Sequence, residues 1–168
     1  MRPVNGAGCR ADVPALIAAL GARAVRDRRD AARDLGRAGD PAAIKPLIFL
    51  LSDPHPAVRT EAAIALGKLD DEVAVPGLID ALADPDPGVR EAAVAALGRL
   101  KDRRATLPLC QCLADKDDRI RAGAAEVLGK LKDPRAVTAL EGATADPFEA
   151  VRDAAETALS RIQRPRKP

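Results

Sequence analysis

The chain is poor in the residues that most often carry chemistry or grip ligands. It has no Trp, no Tyr and only two Phe among 168 residues. Base stacking and most interface hot spots rely on aromatic rings, so such devices are scarce here. The single histidine, His55, has no second imidazole to work with and reads as a solvated turn residue. Three cysteines, Cys9, Cys110 and Cys112, are odd in number and unrelated in spacing. That excludes a disulfide framework and suits reduced thiols in the cytoplasm. No apolar run approaches the ~20 residues of a membrane span. No Gly-rich phosphate loop, Ser-His-Asp set or metal-ligand spacing occurs, so neither a cofactor nor an enzyme activity is expected.

What is present is a beat. Arg28, Arg59, Arg90, Arg121 and Arg152 recur every 31 residues, each followed seven places later by Leu35, Leu66, Leu97, Leu128 or Leu159. The next residue is Gly36, Gly67, Gly98, Gly129 and finally Ser160. A fixed step of this size marks a stacked-repeat solenoid.

Residues 56–85 show the unit best. Val58, Ala62, Ala65, Leu66 and Leu69 make one apolar stripe, which predicts helix A over about 56–68. Val75, Leu78, Ile79 and Leu82 make a second stripe, which predicts helix B over about 72–83. Asp-Pro pairs punctuate the units, with Asp as a cap and Pro suited to a first turn. Neither helix buries its stripe alone, so A packs on B and each pair on the next. The fold class is therefore all-α, an α-α superhelix of 31-residue helix pairs. Ala31, Ala62, Ala93, Ala124 and Ala155 are small enough for adjacent A helices to approach closely.

The repeated arginines suggest a phosphate ladder at first sight. Each, however, follows an aspartate by six residues: Asp53 and Arg59, Asp84 and Arg90, Asp115 and Arg121, Asp146 and Arg152. This spacing predicts a structural ladder of charge-assisted pairs within each unit. Ala22 replaces the first aspartate, so Arg28 is expected to be the free rung. Cys110 and Cys112 point about 200° apart on a helix, too far for one ion to take both. They occupy apolar slots and read as core. Val13 to Leu20, behind Arg2 and Arg10, imitates a signal peptide but aligns with Val75 to Leu82 and reads as repeat structure.

The net charge of +2 is unevenly spread, with basic ends and a mildly acidic body. Residues 1–11 are expected to be a flexible segment, 12–162 the solenoid and 163–168 a basic tail. The array opens on a lone B-type helix at about 12–20 and closes on a lone A-type helix at about 148–162. Polar replacements at Asp27, Arg33 and Glu156 suit exposed outer layers, as in a nearly complete array. Phe148 is expected to be a partial lid on the last helix.

The pattern carried by Asp53, Pro54, Val58, Arg59, Ala62, Ala63, Ala65, Leu66, Gly67, Leu69, Ala74, Val75, Leu78, Ile79 and Leu82 resembles the HEAT-like repeat of the phycobilin-lyase (PBS lyase) type. The resemblance covers about 12–162. The ankyrin Thr-Pro-Leu-His signature is missing, and tetratricopeptide repeats need aromatic positions that this chain lacks. The family also includes deoxyhypusine hydroxylases, whose paired His-Glu motifs have no counterpart beside a lone His55. The resemblance implies B helices lining a concave side. Three variable rows fall there: Ala42, Val73, Arg104 and Arg135; Lys45, Pro76, Leu107 and Thr138; and Phe49, Asp80 and Gln111, with Ala18 and Gly142. Phe49 and Leu107 are apolar in mixed rows, which suits a protein interface. The expected function is a non-catalytic scaffold that binds another protein there. Two alternatives stand beside it: an accessory or chaperone-like subunit of a lyase-type enzyme, and weak nucleic-acid binding through the basic ends. A membrane role is not expected.

Overall fold

The computed structural model describes residues 12–163, and these are helical with no strand among them. Five long A helices alternate with short B helices. The A helices are α2 (Val25–Ala38), α4 (Pro56–Leu69), α6 (Pro87–Leu100), α8 (Asp118–Leu131) and α10 (Glu149–Gln163). The B helices are α1 (Val13–Ala19), α3 (Ile44–Leu50), α5 (Val75–Asp80), α7 (Thr106–Cys112) and α9 (Val137–Ala143). The expected termini at 12–20 and 148–162 correspond to α1 and α10. The expectations for residues 1–11, for the segment from 164 onward and for Cys9 lie outside the described residues.

Capping chemistry marks the starts of α4, α6 and α8 and the ends of α2, α4, α6 and α8. Asp86 and Asp117 accept backbone N–H bonds at the starts of α6 and α8. His55 does the same for α4, where its Nδ1 accepts from Ala57 N at 3.2 Å. It is thus a helix cap rather than an idle turn residue. The A helices end on left-handed residues: Gly39, Asp70, Lys101 and Lys132. Their N–H groups donate to the carbonyls of Leu35, Leu66, Leu97 and Leu128. Only Gly39 adopts this conformation without a Cβ penalty. Lys101→Gly is accordingly expected to stabilise the protein by about 1 kcal/mol. A rise in the urea midpoint at unchanged slope checks it.

Helix B is not one continuous helix. In the second full unit it divides into a 3₁₀ turn (Glu72–Ala74), α5, and a second 3₁₀ turn (Ala81–Ala83). The chain enters through an aspartate cap, Asp71 accepting from Val73 N at 2.9 Å. Pro76 then falls in the first α turn, where its missing N–H costs nothing. The tight turn before it and the short α segment after it follow from this arrangement.

The core is one seam through all layers. Leu35, Leu66, Leu97 and Leu128 of the A helices and Leu47, Leu78, Leu109 and Leu140 of the B helices are fully buried. The recurring glycine sits inside helix A, where the next A helix crosses it. A Cβ on Gly67 would lie 2.9 Å from Ala96 Cα, and one on Gly129 would lie 2.8 Å from Ala158 Cα. Ala31, Ala62, Ala93, Ala124 and Ala155 are buried as well. The close approach to the glycines, however, uses the residue six places after the arginine: Ala65, Ala96, Val127 and Ala158.

Candidate functional site

The arginine ladder is real, but its pairing differs from the six-residue expectation. Arg59 Nε and Nη2 donate to the Asp84 carboxylate at 2.7 and 2.8 Å, so the partner lies 25 residues ahead, in the next unit. Arg90 grips Asp115 at 2.7 and 2.9 Å, and Arg121 grips Asp146 at 2.7 and 3.0 Å. The aspartate six places earlier supplies only its main chain: Arg90 Nη1 donates to the Asp84 carbonyl at 2.9 Å. Each carboxylate also accepts the N–H two residues on, as Asp84 does from Asp86 at 2.9 Å. The side chains of these pairs are 13% accessible or less. Each of these three rungs therefore ties two neighbouring units together.

Arg28 is not free. It holds Asp53 at 2.7 and 2.9 Å, and its Nη1 donates to the Ala22 carbonyl at 3.0 Å. The preceding turn contributes a carbonyl, which alanine has too, so losing the aspartate there frees nothing. Arg152 is the rung that differs. Its Nη1 donates to the carbonyls of Asp146 and Pro147 at 2.8 and 3.0 Å, and among the described residues no carboxylate meets its Nε and Nη2. Phe148 covers the last complete rung, with the Arg121 guanidinium carbon 5.3 Å from its ring centre.

The ladder holds its carboxylates ionised. The bond from Arg28 keeps Asp53 below the ordinary carboxyl value, and that from Arg121 does so for Asp146. For Asp84 and Asp115 burial pushes upward. Arg59 and Arg90, with one backbone N–H each, outweigh it. A depressed folded value stabilises the fold fully above the unfolded value of about 3.9 and loses that contribution as pH falls below it. The melting temperature should thus hold steady from pH 7 to about pH 5 and drop below about pH 4.

The three B-side rows behave uniformly. Ala42, Val73, Arg104, Arg135, Lys45, Pro76, Leu107, Thr138, Phe49, Asp80 and Gln111 are all exposed. Phe49 is 82% exposed, and Leu107 and Val73 are each 54% exposed, high values for apolar side chains. Beside Phe49 lies an apolar hollow of about 420 Å³, floored by Ile17, Leu20, Pro46 and Leu50. Arg104 and Arg135 also have scaffold duties that their variability did not signal. Arg104 binds Asp102 and reaches the Glu72 carbonyl at 3.3 Å; Arg135 binds Asp133 and reaches the Arg103 carbonyl at 3.0 Å. Asp133 in turn accepts from buried Thr106 at 3.0 Å.

No reactive group stands out. Burial pushes the Cys112 thiol up to about 11 and raises Cys110, which keeps both protonated at neutral pH. Among the described residues no group of three or more His, Cys, Asp or Glu is placed to hold a metal ion. No described helix is long and apolar enough to cross a membrane.

The family of HEAT repeats matches residues 13–87 and 75–160, most of the chain. The chain belongs to the HEAT-repeat family. Among solved structures, this HEAT array is similar to the complex of CpcE and CpcF of phycocyanin lyase from Nostoc sp. PCC7120. Identity is 29% over 96% of this chain and 68% of that one, with a TM-score of 0.81. The likeness agrees with the phycobilin-lyase resemblance of the repeat. A designed armadillo repeat protein in complex with the peptide (KR)4 shares the fold at 22% identity, a TM-score of 0.70, and coverage of 88% and 80%. Human deoxyhypusine hydroxylase does so at 19%, a TM-score of 0.51, and coverage of 90% and 84%. No curated protein matches the sequence.

Proposed function

We propose that this HEAT array is a non-catalytic scaffold of the cytoplasm that binds another protein across the exposed face of its B helices, taken as the concave side. The observation that carries the reading is Phe49. It is a large apolar ring left in water beside an apolar hollow, in an array that buries its large aliphatic core with care. An aromatic anchor next to a pocket, with Val73, Pro76 and Leu107 along the same face and polar neighbours around them, suits a protein interface better than a reaction site. Capture of partners from the source cell tests it, comparing wild type with Phe49→Glu plus Leu107→Glu. Partners are expected on the wild type and lost from the variant at an unchanged melting temperature. The same partners on both would put the contact elsewhere.

A second reading rests on the likeness to the CpcE and CpcF complex. It makes the chain an accessory subunit that works beside a second HEAT-like protein of a lyase-type enzyme. Co-purification with such a subunit, and no activity from either alone, would support it.

A further inference from the structure

The turns from A to B form one edge of the array, and charge changes sign along it. The turn of the second unit carries Asp70, Asp71 and Glu72. The next two carry Lys101, Arg103, Arg104, Lys132 and Arg135, all exposed, against the carboxylates of Asp102 and Asp133. Those two carboxylates are already occupied. Asp102 accepts from Arg104 N at 2.7 Å and Asp133 from Arg135 N at 3.1 Å, so both are caps, and Asp133 is only 4% exposed.

The two basic turns also touch. Arg103 Nη2 donates to the Lys132 carbonyl at 3.3 Å, and Arg135 Nη2 donates to the Arg103 carbonyl at 3.0 Å. The cations of two units thus make one patch instead of two. A backbone carbonyl holds the Arg103 guanidinium in place without neutralising it. Among the described residues, Lys101, Arg103 and Lys132 enter no ion pair; the ion pairs of this edge belong to Arg104 and Arg135. Leu107, 54% exposed, follows Arg104 by three residues on the same edge.

We propose that this edge docks an acidic segment of a partner protein, with Leu107 taking an apolar side chain beside the carboxylates. The proposal rests on the protein-binding reading above and names the chemistry of the partner. Fixed like charges repel one another, and carboxylates from a partner relieve that repulsion while steering its approach. The acidic turn at Asp70–Glu72 repels the same segment, which fixes its direction along the array. A nucleic-acid strand is the weaker fit. Phe49 lies on α3 and Phe148 precedes α10, so the edge offers no ring on which a base could stack.

Octaglutamate and an eight-nucleotide oligothymidylate serve as probes at 50 mM salt, with affinity read by fluorescence anisotropy. Octaglutamate is expected to bind the intact protein. Binding should weaken about tenfold or more in Lys101→Glu/Arg103→Glu/Lys132→Glu, whose side chains cap no helix and join no ladder rung; the caps at 101 and 132 are made by backbone N–H groups that the substitutions keep. Arg23→Glu/Arg26→Glu, at the other basic region, should change it by less than about twofold. Should the triple reversal fail to fold, the same three positions changed to Gln are expected to weaken binding about threefold. Equal binding by the folded triple variant overturns the proposal, as does no binding by wild type. Tighter binding of the oligonucleotide than of the peptide overturns it too and assigns the edge to nucleic acid. None of these outcomes bears on Phe49, so the B-face reading stands or falls by its own experiment.

Discussion

Arg90→Ala is expected to lower the unfolding free energy by about 3 kcal/mol, the usual cost of breaking a buried ion pair by removing one partner. Arg90 is 6% exposed, and its removal leaves the Asp115 carboxylate with one backbone N–H as its remaining bond. The identity of the orphan matters. Under pairing within a unit, Asp84 would lose its partner; in the structure Asp84 keeps Arg59 at 2.7 Å. A double-mutant cycle separates the two. Coupling between positions 90 and 115 should be large, whereas coupling between 90 and 84 should be small, since Arg90 uses only the Asp84 carbonyl. Replacing the pair by Arg90→Met/Asp115→Leu should recover most of the loss, because burying two charges is itself expensive. A full loss in that double variant would mean that the rung stabilises through its shape.

Gly67→Ala is expected to cost about 2 kcal/mol, even though alanine is the better helix former by about 1 kcal/mol. The new methyl would fall 2.9 Å from both Cα and Cβ of Ala96. Backbone cannot rotate away, so α4 and α6 must separate. Gly142→Ala is the control. It lies in α9 with nothing within 4 Å of the added carbon, and there the same substitution should stabilise by about 0.5–1 kcal/mol. Thermal melts of the two variants should therefore move in opposite directions. The first should also broaden, since nearest-neighbour coupling is what makes a solenoid melt as one.

The 31-residue beat by itself discloses the helices, the seam of leucines and the membership of the ladder. Pairing is not legible in it, for a reason built into periodicity. Asp84 lies 25 residues after Arg59 and six before Arg90, so both registers fit the same spacing. Only three-dimensional reach decides, and it gives the carboxylate to one arginine and the carbonyl to the other. The broken B helix is hidden as well, because Pro76 suits the first turn of a short helix as readily as a bend near the start of a longer one. On the B face, exposure of Phe49 and Leu107 follows from their place in mixed rows. The scaffold bonds of Arg104 and Arg135 do not, since they run to backbone carbonyls that every residue type supplies.

Because the guanidinium groups of Arg28, Arg59, Arg90 and Arg121 all reach forward, the array is directional and its first and last described layers do not match. At one end Arg152 holds its fork toward a layer that no described residue fills. At the other, Ala22 presents a methyl where every later turn presents a carboxylate. Ser160 adds a side chain where the earlier A helices have the glycine that admits the next layer. Repeat proteins risk growing into fibres through head-to-tail contacts that never close; the first and last described layers lack the guanidinium–carboxylate match that joins the inner ones.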